Sequence, residues 1–495
     1  MADMTAIAAL EPQPVWRLFA EIAAVPRPSK KEEKIQAHTR AWAEKHGFPV
    51  RQDAVGNIAI SVPATPGCEN APVTVLQGHL DMVCEKNSGT EMDFETDPIR
   101  LVVDQDDKRQ QIVRADGTTL GADNGIGVAM AMAAATLPDV KHGPLEILCT
   151  ADEEMGMTGA KALDPEFIKG RRMLNLDSEE DDAVYIGCAG GMDTTLTWEL
   201  ELGALPARAE VARITVAGLR GGHSGGNIHE NRGNAIKLLV QAVMAAEEPG
   251  LQLAKFTGGS KRNAIPREAS ALVSGPAGLV GKLGKAAAAV QGEAIKHAHE
   301  PNCTICVEPA QARQVATTTD SRRVLTTLAA LPHGVLAVVP EIAGLVQTSN
   351  STSTVECTVT GNTLRIVVGC LSRSSLRPEL HATARQINAV GQLGRATVQS
   401  GNEYPGWAPN VDSPTLAICR RVYEQLFGAA PKVTAIHAGL ECGLIGERMG
   451  EGVMDMVSFG PHIEGAHSPD ERIWVASVQK SWKYLTAVLA ELARS

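Results

Sequence analysis

The chain has few aromatic residues, and it lacks features that define several classes of protein. Phe, Trp and Tyr make up 3% of its 495 residues, which describes its packing style and leaves its function open. No apolar run reaches the length of a membrane span. The first residues, MADMTAIAALEPQPVWRLFAEI, lack the basic start and unbroken apolar stretch of a secretory signal. We therefore expect a cytoplasmic protein with no membrane partner.

The charge balance argues against a polyanionic partner. The net charge is −11, and the lysines and arginines are scattered along the chain. Proteins that bind nucleic acid usually gather basic residues into a patch or stripe. We therefore expect no nucleic-acid partner.

The ten cysteines do not form a recognisable disulfide or zinc-ribbon pattern. Cys149 and Cys370 lie inside apolar, strand-like segments, where buried reduced thiols are common. Cys303 and Cys306 form a lone C-x-x-C, whereas a zinc ribbon needs four ligands. Cysteine usage therefore favours a reducing compartment and a structural role for this pair.

The length of the chain predicts two or three domains. Residues 13–48 have the spacing of two helices, and Ser29 and Glu32 form a capping-box pattern for the second one. Strand-like segments follow at 57–62 and 73–77. The order helix, strand, loop, strand over 121–177 indicates an α/β fold with a doubly wound sheet.

The pattern changes after Asp177, which predicts an inserted domain. Segments such as TTLTWELELGALPARAEVARITVAG alternate apolar and polar residues, which is typical of an antiparallel sheet with one solvated face. We predict a catalytic domain in two parts, residues 1–189 and 401–495. Residues 190–400 would form an inserted α+β lid domain with two strand-strand-helix halves.

Potential metal ligands follow several of the apolar segments. Glu153 and Glu154 come directly after a buried strand, and their side chains should diverge, so one could bind metal while the other reaches a metal-bound water. Open α/β sheets build sites from the ends of several strands. Each residue alone could instead be a cap, a turn residue, a satisfied histidine or a solvent-facing carboxylate. The other candidates at element ends are His79, Asp81, Asp123, Asp177, His462 and His467.

Taken in order, the motifs resemble those of a known family. The series GHLDMV, GADNGIG, TADEEMG, NLDSEE and GAHSPDE is similar to the zinc exopeptidases that include aminoacylases, glutamate carboxypeptidases and bacterial dipeptidases. The segments RGGHSGGNIHENRGNA, SKRNAIP, GCLSRSS and AIHAGLECG resemble the aminoacyl-histidine dipeptidase branch. The resemblance extends over nearly the whole chain.

The resemblance implies a dinuclear zinc site, for which Co²⁺ or Mn²⁺ can substitute. His79 and Glu154 would bind different metals, and Asp123 would bridge them. Glu153 would be the general base and Asp81 the partner that orients His79. His462 does not match a ligand position, and the peptide bond after Asp123 is expected to be cis. The expected ligand set is His79, Asp123, Glu154, Asp177 and His467.

The resemblance also assigns residues of the inserted domain. His223, in GGHSGG, would stabilise the oxyanion, although the motif is also compatible with a plain turn. Asn263 and Arg373 would hold the free carboxylate of the substrate, and arginine suits this role because its fork matches a carboxylate. Gly439 would provide a backbone contact at the same end of the substrate.

The implied activity is hydrolysis of unblocked dipeptides by Glu153-assisted attack of a hydroxide that bridges the metals. Dipeptides with C-terminal histidine, including β-alanyl-histidine, would be preferred, and the lid would close over the site. One alternative is an N-acyl amino acid deacylase or carboxypeptidase on the same scaffold. Another is a metal-free peptide-binding protein. A homodimer is compatible with this resemblance.

Overall fold

The chain divides into two compact units in a computed structural model that describes residues 4–450 and 452–494. The first unit comprises Met1–Gly187, Trp407–Ala435 and Leu440–Ser495. The second comprises Cys188–Gly406 and the short segment Ile436–Gly439. The second unit is therefore an insertion in the sequence of the first.

The first unit is built on a mixed sheet of eight strands. Thr74–His79 pairs in parallel with Leu145–Thr150 on one side and with Arg172–Asn175 on the other. Asp455–Ser458 is also parallel to Arg172–Asn175, so four strands end at the same edge. The spatial order is Val50–Gln52, Ile58–Val62, Leu145–Thr150, Thr74–His79, Arg172–Asn175, Asp455–Ser458, Ala183–Cys188 and Lys432–Ile436.

Two neighbouring strands of this sheet, Thr74–His79 and Leu145–Thr150, are buried along their whole length. Strands buried on both faces read as near-continuous apolar runs, which is why the sequence around them lacks alternation. The helix Ala122–Thr136 is also buried on most sides, and its alanines and glycines suit such close packing. The helices of this unit are Met4–Ala8, Gln13–Ala23, Glu33–Lys45, Ala122–Thr136, Glu153–Gly156, Thr158–Ala162, Pro414–Phe427, Glu441–Met449 and Val475–Leu492.

A second, four-stranded sheet of this unit carries the segment around His467. Ile463–Glu464 and Arg472–Trp474 form a hairpin, and His467 lies in its loop. Arg472–Trp474 also pairs with Gln111–Ala115, the strand before the Asp123 segment. The order in the sheet is Ile463–Glu464, Arg472–Trp474, Gln111–Ala115 and Leu101–Gln105.

The second unit contains a ten-stranded sheet whose described pairings are antiparallel. Its main path runs through Thr304–Pro309, Glu210–Ala217, Ala269–Gly275, Gln252–Gly258, Val346–Thr360, Thr363–Ser374, Gly190–Ala204 and Gln314–Ala316. Gly334–Val338 and Thr397–Tyr404 pair beside this path, and Gly222–His223 pairs with Ala264–Ile265 in a separate ribbon. The helices are Ala235–Ala245, Leu279–His297, Thr318–Ala330 and Arg377–Leu393, with a 3₁₀ turn at Ile228–Glu230.

One local prediction about the first unit is confirmed and another is wrong. The two helices expected over 13–48 are present as Gln13–Ala23 and Glu33–Lys45. The capping box is absent, because the helix begins at Glu33 and Ser29 lies before its N-cap; the Ser29 hydroxyl donates to Asp81 Oδ2 at 2.7 Å. Glu32 is the residue before the helix.

Two findings concern the chain as a whole. All ten cysteines lie in the described segments and are free thiols, including Cys303 and Cys306. Among the described helices, none is both long enough and apolar enough to cross a membrane.

Candidate metal centre and anion site

Asp123 lies between two histidines, one against each of its carboxylate oxygens. His79, at the end of its buried strand, places Nε2 3.0 Å from Asp123 Oδ1. His467 places Nε2 3.2 Å from Asp123 Oδ2. A carboxylate that presents one oxygen to each of two imidazoles has the arrangement that a bridging ligand needs.

Each of these histidines has a second carboxylate beside it. Asp177 Oδ1 is 3.4 Å from His79 Nε2, and Glu154 Oε2 is 2.9 Å from His467 Nε2. His79, Asp123 and Glu154 each offer a ligand atom, and these atoms lie within 4.8 Å of one another. The five predicted ligands therefore meet at one place in the first unit.

The chemistry of this group fits a divalent metal. Glu154 Oε1 is buried and has no hydrogen-bond partner in the described segments. Burial raises the pKa of Asp177 to about 7, and the nearby carboxylates of Asp123 and Glu154 oppose its ionisation as well. Imidazoles with several carboxylates suit Zn²⁺, and a cation would compensate the crowded negative charge.

Hydrogen bonds to the Asp123 carboxylate also shift two pKa values. Burial alone would raise the pKa of Asp123, but the hydrogen bonds from His467 and His79 lower it below its usual range. The pKa of His467 is raised to about 11 by its hydrogen bonds to Asp123 and Glu154. These imidazoles thus occupy places where a cation is favoured.

Asp81 organises both the His79 ring and the two glutamates. Its Oδ1 lies 3.3 Å from His79 Nδ1, which leaves Nε2 directed toward Asp123. The backbone N–H of Glu153 donates to Oδ1 at 3.0 Å, and that of Glu154 donates to Oδ2 at 3.2 Å. A carboxylate behind a histidine in this way fixes the tautomer that can bind metal.

Glu153 shares the site but contacts neither histidine by hydrogen bond or ion pair in the described segments. The chain turns sharply before it, because Asp152 adopts a left-handed conformation with φ of 53°. Burial raises the pKa of Glu153 well above its usual value. The charge of His79 opposes this rise, while the carboxylates of Asp177 and Glu441 add to it.

Two further predictions about this unit have clear outcomes. The peptide bond between Asp123 and Asn124 is cis, as expected. His462 lies apart from the ligand set: its ring contacts the backbone oxygen of Glu179, lies 3.3 Å from Glu464, and is tilted against Trp474.

Sequence reasoning missed Glu441, whose side chain is fully buried. Its Oε2 accepts hydrogen bonds from Gln77 Nε2 at 2.7 Å and from Thr150 Oγ1 at 2.5 Å. Burial raises its pKa to about 7. The signal was present, because Glu441 stands in the HAGLECG segment from which only Gly439 was selected.

In the second unit, His223 and Arg373 place two hydrogen-bond donors side by side. His223 Nδ1 accepts the backbone N–H of Gly226 at 2.9 Å, which assigns the ring proton to Nε2. Burial, together with the charge of Arg373, lowers the pKa of His223 to about 4, so the ring is neutral. Nε2 lies 3.4 Å from Arg373 Nη2. Such a pair is complementary to an anion.

Arg373 is a buried cation, 4% exposed, without a carboxylate partner in the described segments. Its Nη1 donates to the hydroxyl of Tyr404 at 2.6 Å, and its Nε has no partner there. Tyr404 was not foreseen from the sequence. Its ring occupies space left by Gly191, where an added Cβ would lie 2.4 Å from Tyr404 ring atoms.

The other two predicted substrate-binding residues of this unit are Asn263 and Gly439. The backbone oxygen of Asn263 accepts the N–H of Ser224 at 2.8 Å, and the residue is exposed. Gly439 ends the short segment that returns to this unit. The same segment contributes His437, which is buried and lies 2.7 Å from Ser349 Oγ through Nε2.

Comparison with known proteins confirms the family resemblance. Residues 75–491 match the model of peptidase family M20/M25/M40. The cytosol non-specific dipeptidase of Escherichia coli (strain K12) is 42% identical over 494 residues, 99% of each protein. The crystal structure of aminoacylhistidine dipeptidase from Vibrio alginolyticus matches with a TM-score of 0.89 and 42% identity over 98% of each chain.

A structure with much lower sequence identity shares the fold. A tripeptidase from Staphylococcus aureus matches 98% of this chain and 100% of its own with a TM-score of 0.56 at 15% identity. At that identity the match shows the fold alone. The family model and the two full-length relatives carry the assignment. This chain belongs to peptidase family M20/M25/M40, hydrolases that act on peptide bonds.

Proposed function

We propose that this chain is a dinuclear zinc dipeptidase that hydrolyses unblocked dipeptides, with a preference for C-terminal histidine. The observation that carries the proposal is Asp123, which presents one oxygen to His79 and the other to His467. Asp177 and Glu154 complete the proposed ligand set, each beside one of these histidines. The two relatives of 42% identity are both named dipeptidases, which supports the substrate class.

In the proposed reaction, Glu153 moves the proton. Two cations held by the proposed ligand set would supply Lewis acidity to the scissile carbonyl and would lower the pKa of the attacking water. Glu153 accepts the proton of that water and then gives it to the leaving amine, so it ends in the state in which it began. Burial raises its pKa above the usual value of a glutamate, which is the direction that favours a general base.

The donors of the second unit recognise the substrate. His223 is neutral with its proton on Nε2, so it can donate to the oxyanion that forms on the carbonyl. Arg373 has free donor capacity and no counter-charge among the described residues, so we assign it the carboxylate of the dipeptide. We retain Asn263 and Gly439 as further substrate contacts on the strength of the motif resemblance.

Arg373 would fix the carboxylate end of the substrate, and we propose that longer peptides do not fit because the amino end is held as well. The histidine preference is supported by the name of the Vibrio alginolyticus relative, whereas the Escherichia coli relative is named non-specific. We also propose a cytoplasmic location, which the name of the Escherichia coli relative supports. A homodimer remains part of the proposal and is tested by the mass of the purified protein in solution.

The decisive experiment combines metal analysis with a substrate panel. We expect two zinc ions per chain in the fully active enzyme, loss of activity on chelation, and recovery with Zn²⁺, Co²⁺ or Mn²⁺. The panel would compare β-alanyl-histidine, other Xaa-His dipeptides, dipeptides without histidine, and N-acylated amino acids. Faster hydrolysis of N-acylated amino acids than of free dipeptides would replace the proposal with a deacylase. Full activity with fewer than two ions would contradict the dinuclear site.

A further inference from the structure

The GAHSPDE segment, which contains His467, ends with the buried carboxylate of Glu471. Glu471 is buried, with 2% of its surface exposed. Its Oε2 accepts the backbone N–H of Leu120 at 2.7 Å and of Gly121 at 3.0 Å. Its Oε1 accepts that of Ala122 at 2.8 Å and of Asp123 at 3.3 Å. One carboxylate therefore binds four consecutive N–H groups that end at the bridging residue.

A buried arginine contacts the same segment through its carbonyl. Arg27 is 2% exposed, and its Nη2 donates to the backbone oxygen of Gly121. Its Nη1 donates to the backbone oxygens of Leu80 at 3.0 Å and of Asp81 at 2.9 Å. Arg27 thus joins the segment that follows His79 to the segment that precedes Asp123.

Glycine is required where Arg27 meets this segment. Gly121 has a φ of 69°, and an added Cβ would lie 2.4 Å from Arg27 Nη2. At Gly125 an added Cβ would lie 2.7 Å from the same atom. The GADNGIG motif therefore leaves room for a guanidinium group, in addition to supplying Asp123.

Buried charges are retained at a cost in desolvation, so their presence here calls for a reason. In the described segments, the hydrogen bonds of Arg27 and Glu471 to the ligand-bearing segments go to backbone groups, including the N–H of Asp123, and not to the ligand side chains. Groups that hold ligands in this way usually determine how well a site binds metal.

We propose that Glu471 and Arg27 are positioning residues of the metal centre, which hold Asp123 with one oxygen toward each histidine. Glu471 fixes the N–H groups of residues 120–123, and Arg27 fixes the carbonyl of Gly121 relative to Leu80 and Asp81. The inference deepens the proposed function and rests on it, because it names the residues that hold the ligands of the proposed dinuclear site in place.

The test is to titrate the metal-free, full-length protein with Co²⁺. Binding is monitored by the absorption spectrum, and the affinity is measured by competition with a chelator. Glu471→Gln keeps the size of the side chain but turns an NH₂ group toward two of the four N–H donors. We expect Co²⁺ affinity to fall about 10–100-fold, the range typical for partners of metal ligands, with altered visible bands.

Glu146→Gln is the matched control. Glu146 belongs to the same unit, is 3% exposed, and accepts the backbone N–H of Lys169 at 2.7 Å and of Gly170 at 2.9 Å. This variant should lose stability without changing Co²⁺ affinity. An equal loss of affinity in both variants would overturn the proposal, since it would reflect general destabilisation.

A second variant keeps the test valid if Glu471→Gln does not fold. Arg27→Lys retains the charge but cannot contact three carbonyls in the same geometry. We expect a loss of Co²⁺ affinity in the same 10–100-fold range. Unchanged affinity and spectrum in a folded variant at either position would refute its role. If the wild-type protein binds no Co²⁺, the proposed metal function fails instead.

Discussion

Replacing Arg373 with methionine should weaken catalysis strongly while leaving the free protein nearly as stable as before. The guanidinium is buried and has no carboxylate partner in the described segments, so the proposed partner is the carboxylate of the dipeptide. Truncating one member of a buried charge pair costs about 2–5 kcal/mol of binding. This corresponds to a fall of about 30- to 5,000-fold in kcat/KM.

The expected effect on stability is small for the same structural reason. In the free protein, Arg373→Met removes an uncompensated buried charge and one hydrogen bond, to Tyr404. A well-packed apolar replacement of a buried charge is often neutral or stabilising. The lost hydrogen bond is worth about 1 kcal/mol. The free energy of unfolding should therefore change by no more than about 1 kcal/mol in either direction.

The assay compares a dipeptide with its C-terminal amide. Wild-type enzyme should prefer the free acid, and Arg373→Met should lose that preference. Arg373→Lys should rescue poorly, because an ammonium group cannot reproduce the fork of the guanidinium. Arg365→Met, on the same strand and with an exposed side chain, is the control and should behave as wild type. If Arg373→Met keeps the wild-type preference for the acid, the carboxylate role is wrong.

Four further predictions follow from the same geometry. Glu153→Gln should retain two metal ions but lose about 10²–10⁴-fold in kcat, whereas Glu154→Gln should lose metal, and near-normal turnover of Glu153→Gln would contradict the assignment of the base. Tyr404→Phe removes the hydroxyl that positions the guanidinium, so KM should rise for free-acid dipeptides more than for their amides, and equal changes would indicate a structural role. Burial and the guanidinium of Arg373 lower the pKa of His437 to about 3 in the folded protein. Below about pH 6.5 this histidine is protonated in the unfolded chain but not in the folded one, so the free energy of unfolding should fall by about 2 kcal/mol at pH 5. His437→Gln should remove that part of the acid loss in denaturant titrations at pH 5 and 7.5, and an unchanged loss would contradict it. A His223→Ala chain mixed with a Glu153→Ala chain should stay inactive, because we expect each chain to supply its own His223, and recovery would show that this histidine acts between subunits.

The sequence allowed the proximity of the proposed metal ligands to be predicted, because these residues follow recognisable elements. His79 ends a strand, Glu154 follows the next strand of the sheet, and Asp177 follows a third. Parallel strands bring their ends to one edge, so the chain order of the motifs translates directly into proximity. The structure brings all these residues together, as the motifs predicted.

The residues that hold the ligands could not be predicted in this way. The contact between Glu471 and the Gly121 segment joins positions 350 residues apart, and no periodicity or local motif specifies such a pair. Tyr404 was missed for the same reason, since it meets Arg373 only through the pairing of distant strands. The Ser29 capping box failed because the helix begins only at Glu33, so Ser29 lies before its first turn, and the serine hydroxyl donates to Asp81 instead.

The position of His467 near the end of the chain determines when the proposed set of metal ligands is complete. The other proposed ligands are complete by residue 177, but the hairpin that carries His467 and Glu471 is synthesised only after the whole inserted unit. A nascent chain therefore carries an incomplete set of ligands for most of its synthesis, and contacts between such distant residues are slow to form. The complete proposed ligand set is thus available only late in synthesis, and a chain that ends before His467 lacks one of its five proposed members.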